Sequence, residues 1–303
     1  MYDVVGDIHG HAEALKELLY KMEYREKDGV WQHSKREVIF VGDYIDRGPD
    51  IRETLQLVKR MQENGKAIAL MGNHEFNALA YNYKLPDGTH LRKHNNIHNR
   101  QHEQTLLQFQ GYENEWLSYM DWFYTLPLFL DLKELRAVHA CWDNKHIDWL
   151  MANDYRTMNK NLLVASHEKG SYPKQVIDEV LKGKEYNIPE EYAWKDKDGH
   201  IRTENRYKWW IDASASTYGQ FLFNCPSHLN NQVIEERIDF VVYPRDAKPV
   251  FFGHYWLEDD FPKIQAANVA CLDYSIAKGG SLVAYRWNGE VELNNDNFFS
   301  VTA

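Results

Sequence analysis

The sequence contains few cysteines, no long apolar run and no excess of positive charge. Its three cysteines, Cys141, Cys225 and Cys271, are scattered and form no CxxC pair, so neither a disulfide framework nor a structural zinc knuckle is indicated. No apolar stretch approaches the ~18 residues that a membrane span needs, and no basic segment precedes an apolar run at the N-terminus. We therefore expect a protein of the cytoplasm, a reducing compartment, with no membrane partner.

The charge balance bears on the class of partner. Lys and Arg number 35 against 45 Asp and Glu, which gives a formal net charge of -10. A protein that binds duplex nucleic acid through its overall field is usually basic, so we expect no bulk nucleic-acid binding. Of the 303 residues 44% are hydrophobic, which is enough for one large buried core.

Strand and helix patterns alternate in the first quarter of the chain. Strands are predicted at Tyr2–Val5, Glu37–Val41 and Lys66–Met71, with helices between them at His11–Met22 and Ile51–Asn64. This βαβαβ order implies parallel strands joined by right-handed crossovers. Later runs of apolar residues predict four more strands, at Leu135–His139, Pro249–His254, Ala266–Leu272 and Ser281–Trp287.

The pattern is weaker between Cys141 and about Asn231. This stretch contains helical pieces, a Lys195–Arg202 segment with an Asp198-Gly199 turn, and the adjacent Trp209 and Trp210. We interpret it as an insertion rather than a separate domain. The prediction is one domain over residues 1–303 with an inserted cap at about 143–232.

Polar clusters follow five of the predicted strands. The side chains of interest are Asp7 and His9, Asp43 with Asp46 and Arg47, Asn73 with His74, His139, and His254. Loops at the carboxyl ends of strands in an open α/β sheet share one edge, so these clusters are expected to converge. Carboxylate oxygen, amide oxygen and imidazole nitrogen together suit two adjacent divalent ions, with Asp43 placed to bridge them.

In this order the clusters resemble the motifs of a known superfamily. The chain has GD-x-HG from Gly6, GD-x-x-DRG from Gly42, GNHE from Gly72, and two later histidines. These blocks resemble the calcineurin-type metallophosphoesterases, and within them the bacterial-type phosphoprotein phosphatase group. The resemblance implies an α/β fold, a four-layer α-β-β-α sandwich with mixed sheets, here with the inserted cap.

The resemblance also implies a role for each site residue. It assigns Asp7 and His9 to the first metal, Asp43 to the bridge, and Asn73, His139 and His254 to the second metal. Manganese is the expected metal, with iron or zinc as alternatives, and a hydroxide bridging the two ions would attack phosphorus directly. Arg47 and Asn73 would bind the substrate phosphate, and His74, oriented by Asp46, would protonate the leaving oxygen.

The chain departs from the family pattern at several positions. Ala140-Cys141-Trp142 stands where Gly-Gly usually follows the first late histidine, and Tyr255-Trp256 stands where a Thr often follows the second. Bulky aromatic residues there are expected to reshape the floor of the substrate site. A second phosphate-binding arginine is expected from the insertion, and we assign it to Arg206, with Arg202 as the alternative.

Two further groups of residues have more than one interpretation. His90, His94, His98 and His102 recur every four residues, and a solvated polar face is favoured over a metal site or over a basic wall that includes Arg92, Lys93 and Arg100. The aromatic residues from Trp116 to Phe129 are interpreted as helix packing and core rather than as a nucleobase pocket.

Three functions are compatible with these motifs. The first hypothesis is a phosphomonoesterase acting on phosphorylated Ser/Thr proteins or on small phosphate esters. The alternative is a dinucleoside polyphosphate hydrolase, in which the Trp-rich insertion and the segment near Arg92 would supply a base-stacking surface and a basic groove. The third is a silent binding module, which the complete set of motif residues argues against.

Overall fold

The structure, a computed structural model, describes residues 1–195, 201–212, 216–234 and 242–302. Sixteen strands lie within those ranges: β1 Tyr2–Val5, β2 Arg25–Lys27, β3 Val30–Gln32, β4 Glu37–Phe40, β5 Ala67–Ala69, β6 Phe129–Asp131, β7 Arg136–Val138, β8 Glu185–Asn187, β9 Trp194–Lys195, β10 Ile201–Arg202, β11 Glu204–Arg206, β12 Val250–Phe252, β13 Val269–Cys271, β14 Asp273–Tyr274, β15 Ser281–Trp287 and β16 Phe298–Thr302. The same ranges contain nine α-helices: α1 Ala12–Lys21, α2 Ile51–Glu63, α3 Asn73–Asn82, α4 Asn96–Gln108, α5 Glu113–Phe123, α6 Asn144–Ala152, α7 Lys160–Ala165, α8 Tyr172–Lys182 and α9 Tyr218–Phe221.

Two mixed sheets form the centre of the molecule. The larger has six strands in the order β14-β15-β1-β4-β5, with β16 also paired to β15. Its β1, β4 and β5 are parallel, whereas β15 runs antiparallel to β1. The smaller sheet has the order β13-β12-β7-β6, with β12 parallel to both of its neighbours. Of the strands that end at the predicted polar clusters, β1, β4, β7 and β12 lie inside the two sheets and β5 is the edge strand of the larger one.

The two sheets pack against each other through an apolar layer. Val4 of β1 and Ile39 of β4 belong to the same buried cluster as Phe251 of β12. Their chain neighbours Val5 and Val38 belong to the cluster on the outer side. Since side chains alternate between the two faces of a strand, the set with Val4 and Ile39 packs against the other sheet, and the set with Val5 and Val38 packs against the helices.

Helices and the inserted segment cover the outer faces. Helix α1 contacts β15 and β16, and α2 contacts β5. On the smaller sheet, the ring centre of Trp209 lies 5.0 Å from that of Phe252. The predicted four-layer α-β-β-α arrangement with mixed sheets is confirmed.

Most predicted strands and helices are present, with shorter ends. The strand predicted over Ala266–Leu272 begins only at Val269, because Ala266 and Val269 exchange two main-chain hydrogen bonds and close a turn. The hairpin of β2 and β3 was not predicted, although Asp28-Gly29 in its turn is a typical hairpin signal. Both residues have positive φ, 54° and 77°.

The segment predicted as a cap contains small elements that join neither large sheet. Strand β8 pairs with β11, and β9 pairs with β10. The predicted turn at Asp198-Gly199 lies outside the described residues. The boundaries of the cap, and of a single domain that contains it, remain predictions.

Among the residues that the structure describes, no helix is both long and apolar enough to cross a membrane.

The inter-sheet layer gives a stability prediction. Phe251 is fully buried there, whereas Phe261 is 81% exposed. We expect Phe251→Ala to lower the free energy of unfolding in urea by about 3–5 kcal/mol, because it removes buried apolar surface and leaves a cavity. The matched control Phe261→Ala is expected to change it by less than about 0.5 kcal/mol. Equal effects of the two substitutions would contradict the described packing of the sheets.

Candidate active site

The loops that follow β1, β4, β5, β7 and β12 meet at one place. The main-chain N–H of His9 donates to the Asp43 carbonyl at 2.8 Å, and that of His254 donates to Asp7 Oδ2 at 3.0 Å. The main-chain N–H of His74 donates to Asp43 Oδ1 at 3.0 Å. The predicted convergence of the clusters is therefore present, and it joins the two sheets at one edge.

Asp43 lies at the centre of this edge. Its Oδ2 is 3.6 Å from His9 Nε2 and 3.9 Å from His74 Nε2. Its Oδ1 is 3.4 Å from Nε2 of His139, which is also 3.0 Å from Asn73 Oδ1. Asp43 is only 1% exposed, so one buried carboxylate faces three imidazole rings.

Main-chain carbonyl groups orient two of these rings. His9 Nδ1 lies 2.9 Å from the Ile45 carbonyl, and His139 Nδ1 lies 2.8 Å from the Val41 carbonyl. A carbonyl oxygen only accepts hydrogen bonds, so Nδ1 carries the proton in each ring. In His9 the Nε2 has no hydrogen-bond partner and faces Asp43, which is the arrangement that a metal-binding histidine requires, whereas the Nε2 of His139 lies between the oxygens of Asn73 and Asp43.

Several buried polar atoms at this edge have no hydrogen-bond partner. They are Asp7 Oδ1, Asp43 Oδ2, His9 Nε2 and both ring nitrogens of His254. Orphaned buried atoms are costly and call for a missing partner. Ligand atoms of His9, Asp43 and His74 lie within 4.8 Å of one another, as do those of Asp43, His139 and His254. The donor set and its orphaned atoms fit divalent metal ions on both sides of Asp43.

The charge states of the site agree with this fit. Burial lowers the pKa of His9 to about 4 and that of His254 well below its usual value, so both imidazoles are neutral, as metal binding requires. Burial, together with Asp273 and Asp43, raises the pKa of Asp7. The carboxylate of Asp7 thus lacks cationic compensation from the protein itself, whereas His139 and His74, against the effect of burial, hold the pKa of Asp43 well below its usual value.

A third group of possible ligands already contains a cation. Asp143, His146 and Glu179 also lie within 4.8 Å of one another, in the inserted segment. The ammonium group of Lys184 forms an ion pair with Asp143 and lies 3.1 Å from Glu179 Oε2. We therefore interpret this group as an ion-pair network.

His74 and Asp46 form a short hydrogen-bonded pair. His74 Nδ1 lies 2.5 Å from Asp46 Oδ2. Burial by itself would lower the pKa of His74, but the charge of Asp43 and the hydrogen bond to Asp46 raise it to about 9. The ring therefore carries a proton at neutral pH, and the predicted Asp46 and His74 pair is brought together.

The other carboxylate oxygen of Asp46, Oδ1, forms hydrogen bonds with side chains of helix α4. This contact was not predicted from the sequence. Asp46 Oδ1 lies 2.5 Å from His102 Nδ1 and accepts a hydrogen bond from Thr105 Oγ1 at 2.7 Å. Burial tends to raise the pKa of Asp46, but its histidine partners lower it overall. The carboxylate therefore stays charged and cannot rotate away from His74.

The four-residue histidine pattern does not form one helical stripe. Helix α4 begins at Asn96, capped by the side chain of Asn95, so His90 and His94 precede it. The interpretation as a solvated face is wrong for His102, which is 5% exposed. In the part of the chain that the structure describes, none of the four histidines belongs to a group of possible metal ligands.

Glu75, the last residue of the GNHE block, joins two of the loops. Its carboxylate accepts main-chain N–H groups of Asp43, Tyr44 and Gly72, at 2.9, 2.8 and 3.0 Å. No role was predicted for this residue. The structure shows that it fixes the main chain that carries Asp43 and Asn73.

The main chain of the site is strained. His9, Asp43, Asp46 and His254 all have positive φ, between 50° and 85°. Such conformations cost on the order of 1–3 kcal/mol each and persist where the surroundings enforce them. The close packing also requires glycine at Gly72, because a Cβ there would lie 2.2 Å from Asp43 Oδ1.

A cavity of about 810 Å³ opens directly above this edge. Four arginines line this cavity. Two of them are Arg206 and Arg202, the candidates from the insertion for the second phosphate-binding arginine. The cavity is lined by side chains of the site and of the inserted segment, among them Asp46, Arg47, Asn73, His74, Asn77, Arg92, Gln101, His102, Glu185, Trp194, Arg202, Glu204, Arg206, Phe223, His254, Trp256 and Lys278. The cavity lies in the size range that holds a drug-sized ligand.

The aromatic residues divide differently from the prediction. Trp209 and Trp210 are buried and pack on Phe252, so this pair offers no base-stacking surface. Tyr255 is fully buried, whereas Trp256 lines the cavity as expected. The interpretation of the aromatic residues near Trp116 as core is confirmed, because Trp116, Tyr119, Trp122, Phe123 and Phe129 are all buried. Cys141 is buried as well.

Comparison with known proteins identifies the family. Residues 2–255 match the calcineurin-like phosphoesterases. This chain belongs to that family. Members of this family are phosphoesterases, enzymes that hydrolyse phosphoric esters with divalent metals. The resemblance found in the motifs is thereby confirmed.

Individual relatives differ in how much of the chain they match. An asymmetrical bis(5'-nucleosyl)-tetraphosphatase of Oceanobacillus iheyensis is 33% identical over 139 residues, 46% of this chain and 54% of that protein. The chain thus matches about half the length of this relative. A symmetrical bis(5'-nucleosyl)-tetraphosphatase of Marinomonas sp. is 31% identical over 313 aligned positions, 93% of this chain and 92% of that protein.

A solved structure is similar at a lower level. A protein serine/threonine phosphatase of Saccharomyces cerevisiae is 14% identical, with a TM-score of 0.46 over 99% of this chain and 78% of that one. A likeness this low carries no argument about substrate.

The role of Glu75 can be tested through stability. We expect Glu75→Gln to lower the free energy of unfolding by about 1–3 kcal/mol, because an amide nitrogen cannot accept the buried N–H that it would face. Denaturant unfolding of the metal-free protein measures this change. Glu134→Gln, at an exposed position, is the matched control and is expected to leave stability unchanged. A Glu75 variant as stable as that control would contradict the role assigned to Glu75.

Proposed function

We propose that this metallophosphoesterase hydrolyses dinucleoside polyphosphates, with diadenosine tetraphosphate as the representative substrate. The names of the relatives support this choice over a phosphomonoester. The observation that carries it is the distribution of positive charge in the cavity, where three separate arginines face the space above the site.

Arg47, Arg92 and Arg206 are partly buried and line the same cavity. Within the described ranges, none of the three forms a salt bridge with a carboxylate. A partly buried guanidinium without a counter-ion favours an anionic ligand and binds phosphate oxygens in a bidentate manner. One phosphate monoester needs one such clamp, whereas several clamps along a cavity fit a chain of phosphates.

Aromatic side chains lie beside these cations. Trp194, Phe223 and Trp256 line the cavity, and the Lys278 ammonium lies 3.9 Å from the centre of the Trp256 ring. A base stacked on an aromatic ring gains about 1–3 kcal/mol, almost independently of its identity. The cavity therefore offers surfaces for a nucleobase next to groups for phosphates.

The proposed ligands of the metal ions are those on either side of Asp43. Asp7 and His9 would hold one ion, Asn73, His139 and His254 the other, and Asp43 both. We propose manganese, with iron or zinc as alternatives, since a mixed nitrogen and oxygen ligand set accommodates all three. When bound, the ions neutralise charge at phosphorus and supply the nucleophile at neutral pH.

The remaining residues act on the substrate itself. Arg47 and Asn73 would bind oxygens of the reacting phosphate, and Arg206 would bind the phosphate chain from the opposite wall. His74 would donate its Nε2 proton to the leaving oxygen, while Asp46 keeps the ring charged and aimed. The protein contributes orientation, charge and a positioned proton.

His74 could instead bind a metal ion, because its Nε2 lies 3.9 Å from Asp43 Oδ2. Two observations favour proton donation over metal binding. His74 lines the cavity, on the side where substrate enters. Its Nδ1 is paired with the Asp46 carboxylate, which suits a ring that donates a proton from Nε2.

A substrate comparison tests the proposed function. The metal-loaded protein is assayed with diadenosine tetraphosphate, a phosphothreonine peptide and p-nitrophenyl phosphate, with manganese present and after chelation. We expect the highest kcat/KM for the dinucleotide, and its loss on chelation. A higher kcat/KM for the phosphopeptide would contradict the proposal and support the phosphomonoesterase hypothesis.

The role of His74 predicts a dependence on the leaving group. His74→Asn is expected to slow hydrolysis of phenyl phosphate by about 100-fold or more, because phenolate needs a proton as it departs. Hydrolysis of p-nitrophenyl phosphate, whose leaving group is a weaker base, should slow less. His90→Asn, on a ring outside the cavity lining, serves as the control. Equal slowing of both esters would exclude proton donation by His74.

A further inference from the structure

We propose that Arg92 binds a phosphate of the substrate beyond the one that reacts, and so selects polyphosphates over monoesters. This inference rests on the proposed function and names the residue that would give it its specificity. Arg92 lies in the segment between α3 and α4, and its main-chain N–H donates to the Ala80 carbonyl near the end of α3 at 2.9 Å.

Neutral side chains hold the Arg92 guanidinium in place. Its Nη1 donates to Asn77 Oδ1 at 3.0 Å, and its Nη2 donates to Gln101 Oε1 at 2.6 Å. A guanidinium has five N–H groups, so these two bonds leave about three for a ligand. Both partners also line the cavity, which places the braced group at its wall. The group is thus pre-organised for an anion at little cost in side-chain entropy.

The charge of Arg92 is not neutralised by its surroundings. Amide oxygens, not carboxylates, accept its two hydrogen bonds, and no salt bridge to it occurs within the described residues. Burial lowers the pKa of Arg92, and the charge of Asp46 opposes this effect. Because the ordinary pKa of an arginine is so high, the guanidinium stays protonated. A full positive charge is therefore available at the cavity wall.

The position of Arg92 separates it from the reacting phosphate. Helix α3 begins at Asn73, beside the proposed metal ions, and Asn77 follows one turn later. Four residues of α-helix advance about 6 Å along the axis. Asn77, which holds the guanidinium, therefore lies about one helical turn from Asn73, whereas Arg47 follows directly on Asp46 in the loop after β4 and is placed for the reacting phosphate. A substrate with a single phosphate would not use this second clamp.

Competition experiments test the role of Arg92 without relying on the preferred substrate. Wild type and Arg92→Gln hydrolyse p-nitrophenyl phosphate at a fixed concentration of free manganese, with inorganic tripolyphosphate or orthophosphate as inhibitor. We expect Arg92→Gln to raise the inhibition constant of tripolyphosphate about 10- to 100-fold, the effect of one charge-assisted contact. The inhibition constant of orthophosphate should stay within about twofold, because a single phosphate bound at the reaction centre does not use the Arg92 contact.

Two further variants separate charge from fold. Arg92→Lys keeps the charge and should recover part of the tripolyphosphate affinity. Arg100→Gln removes an exposed charge from α4 that does not line the cavity, and should match wild type in both inhibition constants. Thermal unfolding of each variant is measured to test whether a loss of affinity arises from a loss of folded protein.

The outcomes distinguish this inference from the proposed function. Equal inhibition constants for tripolyphosphate in wild type and Arg92→Gln would overturn the role of Arg92, whichever substrate wild type prefers. An equal rise for tripolyphosphate and orthophosphate would also overturn it, because Arg92 would then act at the reacting phosphate. A selective rise in a protein that prefers the phosphopeptide would support the subsite and refute only dinucleotide hydrolysis.

Discussion

The buried carboxylate of Asp43 is the group on which the rest of the site depends. It lies among His9, His74 and His139, and nearby atoms of Asp7 and His254 have no partner in the protein. Such a concentration of unsatisfied donors and carboxylates is unfavourable in a protein interior, and metal ions would compensate it. The apoprotein is therefore expected to be less stable at this edge than the metal-bound form, because ligand binding to the folded state adds to its stability.

The fold holds this unfavourable arrangement by packing two sheets together. Strands β1 and β4 carry Asp7 and Asp43, while β7 and β12 of the other sheet carry His139 and His254. The apolar layer between the sheets fixes the relative position of these four side chains, and Glu75 fixes the loops after β4 and β5. The strained φ values at the site are maintained by this packing rather than by local preference.

Local patterns in the sequence predicted the sheets and the residues at the ends of their strands, because each motif is contiguous and follows an apolar run. Contacts between distant segments were not predictable in this way. Asp46 and His102 are 56 positions apart, and nothing near either residue indicates their hydrogen bond. Under the alternative hypothesis the Trp-rich insertion would supply a base-stacking surface, yet its adjacent Trp209 and Trp210 are buried, because an aromatic residue has the same local pattern in a core and in a cavity wall.

The central claim is a pair of metal ions that share Asp43, and anomalous diffraction from crystals grown with manganese tests it most directly. The account predicts two peaks, each within about 2.6 Å of an Asp43 oxygen, one beside His9 and the other beside His139 and His254. A single peak, no peak, or manganese bound only at Asp143, His146 and Glu179 would contradict it.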